Sequence, residues 1–220
     1  MMSPTPIRIF TDMLAAGTPF SFSRWNDGQW NMVLGKTEGT TGDGHAYAKV
    51  IGDHLTSILL SGPEYMMGMQ NLSIKGKRGE RVVSWVRKNL PSMKWYDADA
   101  IHHASMRGEL RGLIDLLDKK RVVVLGPEHM RELPFCNGFV PIPPTDAFYA
   151  RDELYDELGA LLDDEPTKVS MSAGWTTNVL IDQLHKVHGG VHTFIDMGSV
   201  WDPYVGVFSR GYMKGREFTF

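Results

Sequence analysis

Strand-like and helix-like segments alternate along the whole chain, and this alternation restricts the fold more than any other feature. The clearest strand is Arg121-Val122-Val123-Val124-Leu125-Gly126-Pro127, a β-branched run closed by Gly-Pro. Continuous apolar runs of this kind belong to strands buried on both faces of a parallel sheet. Phe20-Ser21-Phe22-Ser23-Arg24 alternates with period two, as a strand does. Shorter strands are predicted at Tyr65–Met69, Lys94–Tyr96, Phe139–Ile142, Lys168–Ser172 and Thr193–Ile195. Helical spacing falls between them, over Ile7–Ala16, Gln29–Leu34, 46–60, 79–89, 106–118, Ala147–Leu162 and Thr176–His188. Strands separated by single helices form βαβ units, so the expected fold is α/β, a largely parallel sheet with helices on both faces.

The chain has 220 residues, a length that suits one domain, here 1–220, with a core that needs no disulfide or metal staple. Apolar residues make up 42% and charged residues 22%, which excludes a wholly disordered chain. The net charge of -3 gives no global attraction to nucleic acid. Cys136 is the one cysteine, so intramolecular disulfides and Cys-based zinc sites are excluded, and a reducing compartment is expected. Apolar runs such as Val122–Leu125 fall far short of the roughly 20 residues that span a bilayer. The start, Met1-Met2-Ser3-Pro4-Thr5-Pro6, lacks the basic flank and apolar stretch of a signal peptide. A soluble, cytoplasmic protein without a membrane span is expected. Nothing in the sequence specifies an oligomeric state.

Open parallel sheets bind ligands beyond the C-terminal ends of their strands. Five loops should emerge there: Trp25–Gly28, Gly126–His129, Pro143–Asp146, Ser172–Thr177 and Asp196–Tyr204. In the first, a strand delivers Arg24 and Asp27 to its end and Gly28 permits a sharp turn into a helix. Asp27 suits a hard divalent cation and Arg24 suits bidentate phosphate binding; helix capping by Asn26 or Asp27 is the alternative. In Ser172-Ala173-Gly174-Trp175-Thr176-Thr177 a strand opens directly into a helix. Its free N–H groups and positive dipole end make an anion site, unless Ser172 or Thr176 serves only as a cap. Asp196 ends a strand, and Trp201, Asp202 and Tyr204 follow on an aromatic loop. That loop could stack on a ring and supply a general base, or it could simply cover the sheet edge. Asp146 is expected chiefly to cap the following helix, with a ligand contact from it or Phe148 as the second possibility.

Gly42-Asp43-Gly44 follows no strand and lacks the third glycine of a dinucleotide fingerprint, and no P-loop is present. The His102-His103 pair does not converge on one metal from a helix. Lys75, Lys77, Arg78, Arg81, Arg87 and Lys88 form a basic region rich in loop residues. Such a region is usually a solvated face, but it leaves room for a polyanionic acceptor.

The run Phe20–Gln29 resembles the Arg-x-Gly-Asp-Gly-Glu start of the GT-D class of glycosyltransferases. Val122–Pro127 resembles that family's Val-Val-Gly-Pro strand, and Pro141–Phe148 its Ile-Pro…Asn-Ala-Phe stretch. Lys168–Leu184 is similar to its strand, Gly-Pro-Thr-Ala turn and helix, and Ile195-Asp196-Met197-Gly198 to its Ile-Asp-Ile-Gly close. The matches keep the family's order; residues 36 to 110 contribute least. The resemblance implies a Rossmann-like sheet, a nucleoside-diphosphate sugar donor, expected to be a UDP-sugar, and a divalent cation, Mn or Mg. Asp27 carries over as a metal or diphosphate-site residue and Arg24 as a donor-binding residue. Gln29 stands where the family has Glu, and a neutral amide is a weaker cation ligand than a carboxylate.

The expected donor site therefore comprises Arg24, Asn26, Gly28, Gln29, Asp146, Gly174, Thr176 and Thr177, with Asp27 on the metal and Asp196 or Asp202 as base. The acceptor is expected to be a glycan or a hydroxymethylated pyrimidine in DNA. Two alternatives stand beside transfer: a non-catalytic nucleotide-sugar-binding module, and a phosphate-ester hydrolase on a similar sheet.

Overall fold

A computed structural model describes residues 6–41 and 44–220. Met1–Thr5, at the chain's start, and Gly42 and Asp43 of the rejected dinucleotide fingerprint lie outside the described residues. Seven strands are present: β1 (Ser21–Trp25), β2 (Met66–Met69), β3 (Trp95–Asp97), β4 (Val122–Gly126), β5 (Gly138–Pro141), β6 (Lys168–Met171) and β7 (Thr193–Asp196). They form one sheet in the order β3-β2-β1-β7-β6-β4-β5, and every pairing is parallel. The expected α/β, Rossmann-like architecture is therefore the observed one.

Among the described residues, eight helices cover the sheet: α1 (Arg8–Ala16), α2 (Asp27–Val33), α3 (Lys49–Leu60), α4 (Gly76–Asn89), α5 (Ala100–Met106), α6 (Arg111–Asp118), α7 (Arg151–Ala160) and α8 (Trp175–His188). Strand β4 shows how two faces are filled from one apolar run. Val123 and Leu125 join the core beneath α2, α3, α7 and α8. Val122 and Val124 join the core beneath α1, α5 and α6. That is the period-two geometry of a strand sandwiched between helices.

Three boundaries differ from expectation. The helix predicted over 106–118 begins only at Arg111, as α6, because the chain turns at Gly108, φ 70°, after a separate helix α5 that ends at Met106. The helix predicted over Ala147–Leu162 begins as a 3-10 turn, Ala147–Ala150, before α7. Helix α4 starts at Gly76, three residues before the predicted 79, so Lys77 and Arg78 are helical along with Arg81, Arg87 and Lys88. Its two early glycines lower local helix propensity. Gly79 is nevertheless required, since a Cβ there would overlap the Ile74 carbonyl.

The sheet sets where the loops go. From β1 the chain moves outward through β2 and β3, whereas β7 closes the other half against β1. Such a reversal leaves a crevice at the C-terminal strand ends. Here the two strands part early. β1 pairs with β7 only at Ser21 and Phe22, yet it pairs with β2 as far as Trp25. Packing then fixes the turn that follows β1. Trp30 on α2 is fully buried, with ring centroids 5.9 Å from Trp25, 6.0 Å from Trp85 and 5.8 Å from Trp95. This aromatic cluster anchors α2, and with it Asp27, to β1, β3 and α4.

Candidate functional site

Beyond Phe22 a side chain replaces the missing ladder between β1 and β7. The Arg24 N–H donates to Asp196 Oδ2 at 3.2 Å, and the Gly198 N–H donates to Oδ1 at 3.1 Å. The Arg24 guanidinium crosses the crevice. Its Nε donates to the Ala98 carbonyl at 2.6 Å, Nη2 lies 3.4 Å from Asp99, and Nη1 lies 3.8 Å from Asp196. Arg24 is 4% exposed and Asp196 4% exposed, so this is a buried charge cluster. Burial pushes the Asp196 carboxyl up to about 6, against the pull of Arg24 and of two backbone N–H donors. His102 lies beside it. Burial, reinforced by Arg24, His103 and Arg210, holds its imidazole well below the usual histidine range. Its buried Nδ1 has no hydrogen-bond partner among the described residues.

A second layer joins β1, α2 and α8. Gln29 Nε2 donates to Asn178 Oδ1 at 2.9 Å and more weakly, at 3.4 Å, to the Arg24 carbonyl. Its Oε1 accepts the Asn26 N–H. Asn178 Nδ2 in turn donates to Ser23 Oγ and to the Arg24 carbonyl. Gln29 is therefore turned inward, and every polar atom of its amide is engaged. Asp27 points the other way. At the first position of α2 its side chain is 58% exposed, 3.6 Å from Nη1 of Arg78 on α4. Among the described residues no group of three His, Cys, Asp or Glu side chains could hold a metal. Asp27 offers a single exposed carboxylate at this turn, already paired with the Arg78 guanidinium.

The start of α8 meets this turn. Gly174 adopts φ 58°, ψ -135°, a conformation open essentially to glycine alone. It lets the chain turn from β6 straight into a 14-residue helix. Trp175 then packs on Gly28, and a Cβ built on Gly28 would lie 3.6 Å from its ring. Thr177 Oγ1 accepts the Ala173 N–H at 3.0 Å and is the residue that fastens the turn. The hydroxyls of Ser172 and Thr176 are buried and have no partner among the described residues. Asn26 is the N-cap of α2, as one of the two expected readings had it, and its N–H donates to Gln29 Oε1. His45 and Tyr47 stand 5.5 and 6.1 Å from the Trp175 ring, so the loop after α2 closes over the pair of turns.

Asp146 does not cap the helix that follows it. It sits at φ 53° with no side-chain cap bond, and its Oδ1 instead accepts the Ala46 N–H at 3.5 Å. A residue in the left-handed region cannot present the extended geometry of an N-cap. The contact draws the Asp146 loop to the loop bearing His45 and Tyr47. Asn26, Asp27, Gly28, Gly174, Thr176, Thr177 and Asp146 thus surround one part of the rim. Arg24 and Asp196 lie deeper, under the crevice.

Asp202 forms a separate group. Its Oδ1 is 3.0 Å from His129 Nε2, and its Oδ2 accepts the Ser209 hydroxyl. Asp99 and Tyr212 carry no signal in the sequence, His102 enters it only as half of a rejected metal pair, and His129 only as the end of the Gly126–His129 loop. A cleft of about 670 Å³, lined by Phe20, Tyr65, Tyr96 and His185 among others, opens at the opposite, N-terminal end of the strands. It is remote from all these groups.

Among the described residues no helix is long and apolar enough to cross a membrane. No family model and no curated protein matches the chain. Two solved structures do. One is the highly conserved domain of unknown function 1792, described as having a distinct glycosyltransferase fold. It matches with a TM-score of 0.68 at 14% identity, over 92% of this chain and 80% of that one. The other is a selenomethionine-substituted structure of domain of unknown function 1792, with a TM-score of 0.66 at 15% identity over the same shares. The resemblance drawn from the ordered sequence matches holds at the level of fold: this chain has a glycosyltransferase fold.

Proposed function

We propose that the chain transfers a sugar from a nucleoside-diphosphate sugar, UDP-linked, to an acceptor hydroxyl. One observation carries this reading. The Asp27 turn and the α8 N-terminus meet at Gly28 and Trp175, with two buried hydroxyls, Ser172 and Thr176, left without partners among the described residues at the helix start. Free N–H groups and the positive end of a helix dipole stabilise an anion there. A diphosphate in that position would gain negative charge as the sugar departs, which is where preorganised donors favour the transition state over the ground state. A divalent cation would have Asp27 as its one protein carboxylate and would neutralise the leaving diphosphate. Arg24 acts from below. Already held by Ala98 and Asp99, it fixes the crevice and adds positive potential without needing to touch the donor.

The Arg78–Asp27 pair brings the basic face of α4 to the donor rim. It favours a polyanionic acceptor, such as DNA carrying a hydroxymethylated pyrimidine, over a neutral glycan. Binding of DNA that weakens steeply with added salt supports this acceptor, and indifference to salt removes it. The lone cysteine favours a cytoplasmic site of action.

The test is release of UDP from a panel of UDP-sugars, with and without Mn²⁺. Asp27→Ala is expected to abolish turnover while leaving the unfolding transition in place. Turnover that survives this substitution would contradict the reading. Release of phosphate from simple esters at an equal rate would favour the hydrolase alternative.

A further inference from the structure

We propose that His129 is the proton acceptor of the transfer reaction and that Asp202 is its positioning residue. The proposal rests on the glycosyl-transfer reading above, which needs a base for the acceptor hydroxyl.

Neither rim aspartate suits that task directly. Both oxygens of Asp196 accept backbone N–H donors, and the Arg24 guanidinium lies beside them. Both oxygens of Asp202 are engaged as well, by His129 and by Ser209. Each residue is almost wholly buried. A hydroxyl group has no oxygen to approach on either.

His129 is the accessible end of the same network. It sits on the 3-10 turn Glu128–Glu132, directly after β4 and Pro127, on the rim where the other loops emerge. Its side chain is 30% exposed. Nε2 faces the buried carboxylate at 3.0 Å, whereas Nδ1 makes no hydrogen bond among the described residues. A carboxylate at one ring nitrogen fixes the tautomer. Nε2 keeps the proton, and the lone pair of Nδ1 is engaged by no described residue. The same carboxylate stabilises the imidazolium that forms when Nδ1 takes up a proton. Ser209 completes the arrangement by filling the second Asp202 oxygen, so the carboxylate cannot swing away from the ring.

The step balances without any further reagent. The acceptor oxygen forms a bond to the anomeric carbon of the sugar, and its proton passes to Nδ1 of His129. The bond between that carbon and the diphosphate oxygen breaks, and its electron pair leaves on the diphosphate. The imidazolium then returns its proton to solvent.

The experiment measures UDP release from UDP-glucose, UDP-galactose and UDP-N-acetylglucosamine, with water as acceptor, for wild type, His129→Ala, His129→Gln and Asp202→Asn. Each is measured with and without added imidazole, and thermal stabilisation by UDP is recorded in parallel. His129→Ala is expected to lose at least about 100-fold in turnover, the lower end of what general-base catalysis supplies. It should keep its stabilisation by UDP and recover part of its rate with imidazole. Asp202→Asn should lower kcat less, with KM unchanged. His129→Gln keeps a hydrogen-bond donor for Asp202, so a normal unfolding transition with lost turnover separates chemistry from folding. A His129→Ala rate within threefold of wild type overturns the proposal, and so does a loss that imidazole leaves untouched. Wild type that UDP stabilises but that releases UDP from no donor overturns the catalytic role of His129 and favours a binding module. Wild type that shows neither effect overturns the transfer reading itself.

Discussion

Gly198 lies against the guanidinium of Arg24 with no side chain between them. It holds φ 53°, and a Cβ built on it would overlap Nη1 and come within 3.4 Å of His102. The loop after β7 therefore closes on Arg24 only because residue 198 is glycine. Gly198→Ala combines left-handed backbone strain with displacement of a buried cation. We expect a loss of about 2–4 kcal/mol in urea unfolding. A loss below about 0.5 kcal/mol, the range of an ordinary surface substitution, would mean that Arg24 is not clamped as described.

Gln29 occupies the position of a family glutamate, and restoring the carboxylate should do harm. Gln29→Glu removes the amide N–H donors that reach Asn178 and the Arg24 carbonyl, and it faces a buried carboxylate with two acceptors. A loss of about 1–3 kcal/mol follows from leaving such groups unpaired. Manganese titration of the variant should show no new binding, because the side chain points inward. Tighter manganese binding at unchanged stability would reverse this assignment.

Asp196 and His102 give opposite slopes of stability with pH. The Asp196 pKa is raised to about 6 in the folded chain, so from roughly pH 4 to 6 the native state holds more protons than the unfolded one. Its contribution is complete below about pH 4 and is lost as pH rises through about 6. The His102 pKa is depressed, so its contribution is present above roughly pH 6.5 and fades as pH falls. Urea unfolding of Asp196→Asn across pH 4 to 7 should therefore lack the downward slope that this carboxyl imposes on wild type. An identical slope in both chains would show that Asp196 is an ordinary carboxylate.

Thr176 offers a cleaner separation of binding from stability. Its buried hydroxyl has no partner among the described residues, so Thr176→Val should leave the free chain as stable or up to about 1 kcal/mol more stable. The same variant should lose stabilisation by UDP. A destabilised variant that still responds fully to UDP would show that the hydroxyl has an internal role and no ligand.

The sheet was legible because each strand carries its own local signal. The Val122–Leu125 run and the alternation at Phe20–Arg24 identify strands from either side of the switch, and seven strands lie where periodicity puts them. Helix boundaries were less legible where glycine confuses the pattern. Gly76 and Gly79 hid the start of α4, and the turn at Gly108 delays the start of α6 to Arg111. The site was legible as a set of loops, not as a set of contacts. The sequence places Gln29 beside Asp27, but only the fold shows one turned into the α2–α8 interface and the other exposed to solvent. Capping was misread at Asp146, since a left-handed backbone angle leaves no local trace in an aspartate. The pairing of His129 with Asp202 spans 73 positions and no spacing rule reaches it.

In the proposed reaction a nucleoside diphosphate seats between the Asp27 turn and the α8 N-terminus. The most direct measurement is the thermal unfolding of wild type and Thr176→Val with UDP, uridine and no ligand. A ligand bound only by the native state adds about 2.7 kcal/mol at a hundredfold excess over its Kd. Tm should rise clearly for wild type with UDP, little with uridine, and not at all for Thr176→Val with UDP. An unfolding temperature indifferent to UDP in the wild-type chain would contradict it, and the likeness to the glycosyltransferase structures would then be one of fold without the donor site.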